Sequence, residues 1–278
     1  FLAFAKTVPF TVRNPLFHWT HLELKRYFDV DELLTEKNAG EIYDLATAKL
    51  QQDSHTPQGL LNQMHVKFVC TTDDPVDDLK YHHDIACQGI TLKVGMAFRP
   101  DKALKINEND FDIYIKKLSV AAGIEIASFE KLQQALLSRI DYFHANGCRI
   151  CDHSLDSMPV ADATSTEVNA IFKRRLKGEA ITALEAEKFT NVLLSFLCEE
   201  YHDRGWVQQF HLGPLRNNNT RMLRELGPDT GWDSIGDFSQ GTGLSRFLDN
   251  LDNKNKLAKT IIYNNNPADN AVFATMAG

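Results

Sequence analysis

Charged and amide side chains recur directly after the apolar runs of this sequence, and their types are those that could do chemistry. Arg99, Asp152 and His211 are the three most informative of them. An arginine binds a carboxylate through two parallel hydrogen bonds, whereas histidine and aspartate ligate metals or transfer protons near neutral pH. Together they indicate a site for a small, anionic, hydroxyl-rich molecule.

The polar stretches follow each of five apolar runs. They occupy residues 71–75, 99–102, 152–154, 211–221 and 264–267. Each stretch alone has an ordinary structural explanation, since aspartate and asparagine commonly cap helices and form turns. Turn formation does not require Arg99 or His211. Because functional side chains of parallel α/β folds gather where the strands end, the whole set favours a common site.

His211 ends an otherwise apolar run, and two explanations stay open for it. It is either a core histidine with satisfied hydrogen bonds, or a metal ligand or acid/base group at the mouth of a barrel. Asp152 and His153 carry the same ambiguity, although a carboxylate at a strand end is less often structural.

Short apolar runs alternate with long amphipathic segments, and these are the elements that must position the polar residues. The runs at 65–70, 92–98, 148–151, 206–212 and 260–263 predict five strands. Helical spacing covers residues 29–52, 110–122, 128–145, 166–176, 182–204 and 244–253. This order predicts a parallel sheet buried on both faces, either an α/β barrel or an open doubly wound sheet.

Capping signals mark several helix starts. Asp29 or Asp31 is predicted to cap the first helix, and Ser128 a later one. Thr182 with Glu185 three residues on has the spacing of a capping box. No linker or repeat interrupts the chain, so we expect a single domain over residues 1–278, with helical insertions at 10–64 and 155–200.

Composition and charge exclude several classes of protein. The 278 residues, 43% hydrophobic and 24% charged, are typical of a globular protein with a sizeable core. A net charge of −7 and a pI near 5.8 argue against nucleic acids or anionic membranes as partners. The sequence contains neither a membrane-spanning run nor a signal peptide, so a cytoplasmic protein is expected.

The cysteines are odd in number, which fits free thiols in a reducing compartment. They are Cys70, Cys87, Cys148, Cys151 and Cys198. Cys148 and Cys151 form a C-x-x-C, but it lies in a strand-like apolar run and no second pair follows it. We interpret this motif as a coincidence.

Long polar strings of the chain resemble the uronate (glucuronate) isomerase family. They are NPLFHWTHLELK (14–25), VCTTDDP (69–75), FRPDK (98–102), CRICDH (148–153), WVQQFHLGPLRNNNTR (206–221), LGPDTG (226–231), DSIGD (233–237) and KTIIYN (259–264). The resemblance spans essentially the whole chain. It implies a distorted (β/α)8 TIM barrel of the metal-dependent amidohydrolase superfamily, which interconverts D-glucuronate with D-fructuronate and D-galacturonate with D-tagaturonate.

Site roles follow from the same resemblance. It implies that Asp152, His153 and His211 are catalytic, that His211 is also at the metal, and that Arg99, Arg216, Asn218 and Trp19 bind substrate. The expected cofactor is a divalent metal, with zinc the first candidate. The expected partner is a hexuronate, and a homo-oligomer is compatible with the resemblance.

The sequence departs from the family pattern at the main metal ligands. Family members carry a His-x-His pair on the first strand and an Asp and an Arg on the eighth, whereas these 278 residues contain no His-x-His. The resemblance therefore implies an internal part of the barrel, incomplete at both ends and inactive alone.

Two alternatives remain beside the isomerase. A hydrolase of the same superfamily would attack an amide or ester with metal-bound water, and a non-catalytic protein would bind sugar acids without converting them. Turnover of glucuronate without incorporation of water separates the isomerase from both.

Overall fold

The computed structural model describes residues 1–277, which form thirteen α-helices and seven strands. The helices are α1 (Leu2–Thr7), α2 (Pro15–Phe28), α3 (Ala39–Leu50), α4 (Pro57–Gln63), α5 (Lys80–Ala86), α6 (Asp101–Leu104), α7 (Phe111–Ala122), α8 (Phe129–Ala145), α9 (Ser165–Leu176), α10 (Ala183–Asp203), α11 (Thr220–Leu226), α12 (Gly241–Asp252) and α13 (Asn270–Met276). The strands are β1 (Phe68–Asp73), β2 (Lys93–Phe98), β3 (Ile150–Leu155), β4 (Val207–Leu212), β5 (Pro214–Leu215), β6 (Ser234–Ile235) and β7 (Thr260–Asn264). Within this range, no helix has the length and apolar character needed to cross a membrane.

The chain divides into two compact units. The first comprises Phe1–Val69 and Gln88–Lys93, and the second comprises Cys70–Cys87 and the chain from Val94 onward. The segment 10–64 is mainly helical and lies in the first unit, whereas α9 and most of α10 fall in the segment 155–200. That these segments are insertions into a single domain stays a prediction.

The main sheet has five strands in the order β1-β2-β3-β4-β7, and its pairs β2–β3, β3–β4 and β4–β7 are parallel. The register places Ser154 beside His211 and His211 beside Tyr263. Parallel strands end at the same edge of a sheet, so this register brings polar residues from successive strands together. The separate pair β5–β6 is antiparallel and was not predicted.

One face of the sheet packs against helices. Cys151 and His153 on β3, and Phe210 on β4, are fully buried on that face, together with Tyr201 of α10. Side chains alternate along a strand, so their neighbours point to the other face. The prediction of a sheet buried on both faces is wrong at β7, where Ile261 and Tyr263 are 42% and 45% exposed.

Two predicted strands have shifted bounds. β1 begins at Phe68 rather than at residue 65, because Met64 and His65 still belong to the turn after α4. β3 continues through Asp152 and His153, which the apolar pattern assigned to a loop. A run of apolar residues therefore predicts only the apolar part of a strand and misses the end that carries polar side chains.

The helix predicted over residues 29–52 is wrong in its first part. α3 begins at Ala39, and Asp29 ends α2 in a left-handed conformation with φ 57°. Its backbone N–H donates to Leu24, which closes the last turn of α2. Asp29 is therefore a C-cap and not an N-cap. Asp31 lies in the non-helical stretch that follows it.

The later helix starts are confirmed. The Ser128 hydroxyl accepts a hydrogen bond from the backbone of Lys131 at the start of α8. At α10, Thr182 and Glu185 make both hydrogen bonds of a capping box. Such caps satisfy backbone donors that the helix itself leaves free.

Candidate functional site

A cavity of about 210 Å³ opens where β3, β4 and β7 end. Its lining includes Arg99, Ser154, His211, Arg216 and Tyr263. We call this space the rim cavity. It lies wholly in the second compact unit and contains two of the three residues that the sequence singled out first.

Asp152 lies at the centre of the charged groups beside the rim cavity. Its side chain is 5% exposed, with Oδ2 3.3 Å from Nη2 of Arg99 and Oδ1 3.0 Å from Nε2 of His211. The Oδ1 contact lacks hydrogen-bond alignment, and no other group within residues 1–277 donates to this oxygen. The expectation that Arg99, Asp152 and His211 lie together is confirmed.

The His211 ring is held from its other side by Tyr263. The two rings stack with centroids 4.3 Å apart and planes 10° from parallel. The Tyr263 hydroxyl donates to Oε1 of Gln209, at 3.1 Å, which fixes the tyrosine in turn. Sequence analysis missed Tyr263, although its register opposite His211 follows from pairing the ends of two predicted strands.

Arg99 leaves the end of β2 between two carboxylates. Its backbone N–H donates to the carbonyl of Asp73 at the end of β1. Its Nε lies 3.2 Å from Oδ2 of Asp101, and its Nη2 faces Asp152. The side chain is about a third exposed, so the guanidinium is anchored yet open to the cavity.

His153 lies on the opposite face of β3, because adjacent residues of a strand point to opposite sides. Its ring is fully buried, 5.6 Å from that of Phe210 and 5.8 Å from that of Tyr201 between centroids. Its Nδ1 is 3.4 Å from Oδ1 of Asp101. The structure does not bring His153 to the rim cavity, and its catalytic role stays a prediction.

Arg216 lines the rim cavity, and Asn218 holds the nearby β5–β6 pair. Nη1 of Arg216 is 2.6 Å from Oδ2 of Asp233. The pKa of Asp233 is lowered by the backbone N–H of Asn217 and then by Arg216. Asn218 donates to the Ser234 hydroxyl and the Leu215 carbonyl.

Trp19 lies on α2 in the first compact unit, where its side chain is 60% exposed. An exposed indole offers a flat apolar surface with one hydrogen-bond donor. Its role in substrate binding stays a prediction, as do those of Arg216 and Asn218.

The described residues contain no complete metal site. No group of three or more histidine, cysteine or acidic side chains in residues 1–277 could hold a metal ion. Nε2 of His211 and the unpartnered Oδ1 of Asp152 are nevertheless the donor types that zinc accepts. These two atoms fit part of a divalent metal site whose remaining ligands would come from elsewhere.

A second polar cluster lies beside the end of β1. The Thr71 hydroxyl donates to Oδ2 of Asp73, at 2.6 Å, and accepts from Nε2 of His82, at 2.7 Å. Burial raises the pKa of Asp73, an effect that the Thr71 hydrogen bond and then the nearby His82 oppose. The cluster attaches α5 to β1.

Cys148 and Cys151 are buried free thiols, whereas Cys70 and Cys87 are exposed. Burial raises the pKa of Cys148 to about 11 and that of Cys151 well above its usual value. A thiol reacts as its thiolate, so both buried sulfurs are poor nucleophiles at neutral pH. The C-x-x-C has the environment of core residues.

Comparisons with known proteins agree on one family. The model of the glucuronate isomerase family matches residues 1–278. The uronate isomerases of Flavobacterium johnsoniae and Bacteroides thetaiotaomicron are 53% and 46% identical to the chain over its whole length. The chain spans 60% of the length of each of these relatives.

Two solved structures share the fold. The uronate isomerase of Thermotoga maritima matches 99% of the chain and 60% of its own, with a TM-score of 0.93 and 30% identity. The glucuronate isomerase of Caulobacter crescentus matches 96% of the chain and 56% of its own, with a TM-score of 0.89 and 26% identity. These matches confirm the predicted fold class, a part of an amidohydrolase-type barrel that is not closed within residues 1–277.

Proposed function

The chain belongs to the glucuronate isomerase family, and from this premise we propose that the protein containing it interconverts hexuronate aldoses and ketoses. The substrate pairs are D-glucuronate with D-fructuronate and D-galacturonate with D-tagaturonate. The observation that carries the proposal is the convergence of Arg99, Asp152 and His211 beside one cavity.

Arg99 is proposed to bind the C6 carboxylate of the substrate. Its guanidinium is permanently charged, and its planar donors match the two oxygens of a carboxylate better than a lysine would. Arg216 adds a second positive charge to the cavity lining. Arg216 is more exposed than Arg99, so solvent screens its attraction for the substrate more strongly.

His211 and Asp152 are proposed to move protons. Conversion of an aldose to a ketose transfers one proton from C2 to C1 and one hydroxyl proton from O2 to O1. A group that takes a proton at one oxygen and returns it at the other must titrate near neutral pH, which suits a histidine next to a carboxylate. We assign the transfer between oxygens to His211, with Asp152 stabilising its protonated form.

A divalent metal, with zinc the first candidate, would be held here by His211 together with Asp152. Nε2 of His211 would then hold the ion in place of the proton, so the proton transfer assigned to His211 belongs to the protein without metal. Such an ion supplies Lewis-acid stabilisation of the negative charge that develops on the substrate oxygens. The protein's own residues orient the sugar from the other end through Arg99. Buried His153 is proposed to act indirectly, through Asp101.

We also infer a cytoplasmic location, which is supported by the odd number of cysteines and the exposed thiols of Cys70 and Cys87. Fractionation of the source cells tests it. A homo-oligomer remains part of the proposal, and light scattering of the purified gene product measures it.

The decisive experiment uses the gene product that contains these 278 residues, compared with residues 1–278 expressed alone. Each is mixed with D-glucuronate and zinc, and the products are identified by NMR and mass spectrometry. We expect a ketose of unchanged mass from the gene product and no turnover from the 278 residues alone. Hydrolysis of uronate esters or amides would support the hydrolase, and binding without conversion would support a sugar-acid-binding protein.

A further inference from the structure

We propose that Asp101 is a positioning residue that sets the orientation of the Arg99 guanidinium for the substrate carboxylate. The inference deepens the proposed function and rests on it. Asp101 begins α6, two residues after Arg99, and its side chain is mostly buried. Nothing in its sequence position distinguishes it from an ordinary N-terminal helix residue.

Asp101 is itself fixed by β3. Its Oδ2 accepts a hydrogen bond from the backbone N–H of Ser154, at 3.0 Å. Its Oδ1 lies 3.4 Å from Nδ1 of His153, whose ring is buried under the helices. A carboxylate that accepts a backbone hydrogen bond at one oxygen and has a buried ring beside the other has few rotamers left, so it makes a rigid support for a neighbouring cation.

The two carboxylates beside Arg99 occupy one edge of its guanidinium. Nε lies 3.2 Å from Oδ2 of Asp101, an ion-pair distance without hydrogen-bond alignment, and Nη2 lies 3.3 Å from Oδ2 of Asp152. In an arginine, Nε and Nη2 form the side edge, whereas Nη1 and Nη2 form the end. With the side edge occupied, the end of the group is left for a bidentate contact with an incoming carboxylate.

We expect orientation of Arg99 to outweigh charge repulsion in this arrangement. A negative Asp101 also repels an anionic substrate, but its charge is offset by the Ser154 N–H and by Arg99. A long side chain such as Arg99 loses rotamer entropy when it is immobilised on binding substrate. If Asp101 already holds Arg99 in place, that entropy cost is reduced. Removal of the Asp101 charge is therefore expected to weaken uronate binding.

The test is Asp101→Asn in the gene product that contains this chain. Asparagine has the same shape and keeps an oxygen for the Ser154 N–H, but it cannot pair ionically with Arg99. We expect KM for D-glucuronate to rise about tenfold with kcat within about twofold, because one charge-assisted contact of the binding group is lost. Calorimetric binding of D-glucuronate should weaken by the same factor.

Asp112→Asn is the matched control. Asp112 also pairs with an arginine, Arg175 at 2.6 Å, but neither residue lines the rim cavity. Its KM should equal that of the wild type. If Asp101→Asn does not fold, Asp101→Ser, which also keeps an oxygen, is the second variant, with the same expected rise in KM.

A double-mutant cycle with Arg99→Lys separates positioning from a general structural effect. If Asp101 acts through Arg99, Asp101→Asn adds little to KM once Arg99 is replaced. An unchanged KM, tighter binding, or full additivity with Arg99→Lys would overturn the inference. A wild-type protein that converts no uronate would instead refute the proposed function, so the two failures are distinguishable.

Discussion

Replacement of Asp152 by asparagine is the perturbation that bears most on the chemistry. The carboxylate is 5% exposed and lies 3.0 Å from His211 and 3.3 Å from Arg99. Asparagine has the same shape but no charge, so both contacts lose their ionic component. Close charge pairs are coupled by about 1.5–7 kcal/mol, and the lower part of that range, about 1.5–3 kcal/mol for His211 alone, corresponds to a fall in kcat of about 10–200-fold.

The assay measures ketose formation from D-glucuronate by the gene product that contains this chain. We expect kcat to fall by about 10²-fold and KM to rise as well, since Arg99 also loses a partner. Asp141→Asn serves as the control, because Asp141 pairs with Arg204 outside the rim cavity. An Asp152→Asn variant with wild-type kcat and an intact fold would refute the role given to the His211–Asp152 pair.

Four further predictions follow from individual contacts. Tyr263→Ala removes the ring stacked on His211, and we expect kcat for D-glucuronate to fall about tenfold while circular dichroism stays unchanged. Arg139→Ala removes three hydrogen bonds to backbone carbonyls, and urea unfolding should show a loss of about 2–4 kcal/mol. Thiol labelling of the native protein should modify Cys87 first and Cys70 more slowly, since burial raises the pKa of Cys70. The other three cysteines are buried and should be labelled only after unfolding. Burial raises the pKa of Asp73 in the folded state, so ionisation of this carboxyl lowers the free energy of unfolding as pH rises through that pKa. Above about pH 4, the Asp73→Asn variant should therefore gain free energy of unfolding relative to the wild type. Equal dependence of this free energy on pH in the two proteins would contradict the prediction.

The sequence located the site because polar residues interrupt apolar strands only where something other than packing requires them. Arg99 and His211 could be identified in this way, since neither turn formation nor capping accounts for them. The parallel β-then-α order then placed the ends of β2 and β4 at a common edge. Each of these inferences depends on local pattern alone.

The sequence could not separate Asp152 from His153. An apolar run that stops at Cys151 suggests that both residues lie in a loop, where either could turn toward substrate. The structure continues β3 through both, and strand alternation sends them to opposite faces. An error of four residues in the predicted end of β3 therefore hid which of the two side chains reaches the cavity.

The hydrophobic pattern of the sequence also could not predict contacts between residues that are distant in the chain. The Asp101 carboxylate meets the Ser154 backbone 53 residues later, and Tyr263 reaches His211 only through strand register. The end of α2 at Asp29 depends on a left-handed residue, which helical periodicity does not reveal. These features come from tertiary packing rather than from local propensity.

The central claim is tested most directly by a crystal structure of the gene product with D-glucuronate bound. We expect the sugar in the rim cavity, its carboxylate on the Arg99 guanidinium at hydrogen-bond distance and its hydroxyl end toward His211. Density for the sugar at another place, with Arg99 still paired only to Asp101 and Asp152, would contradict the account.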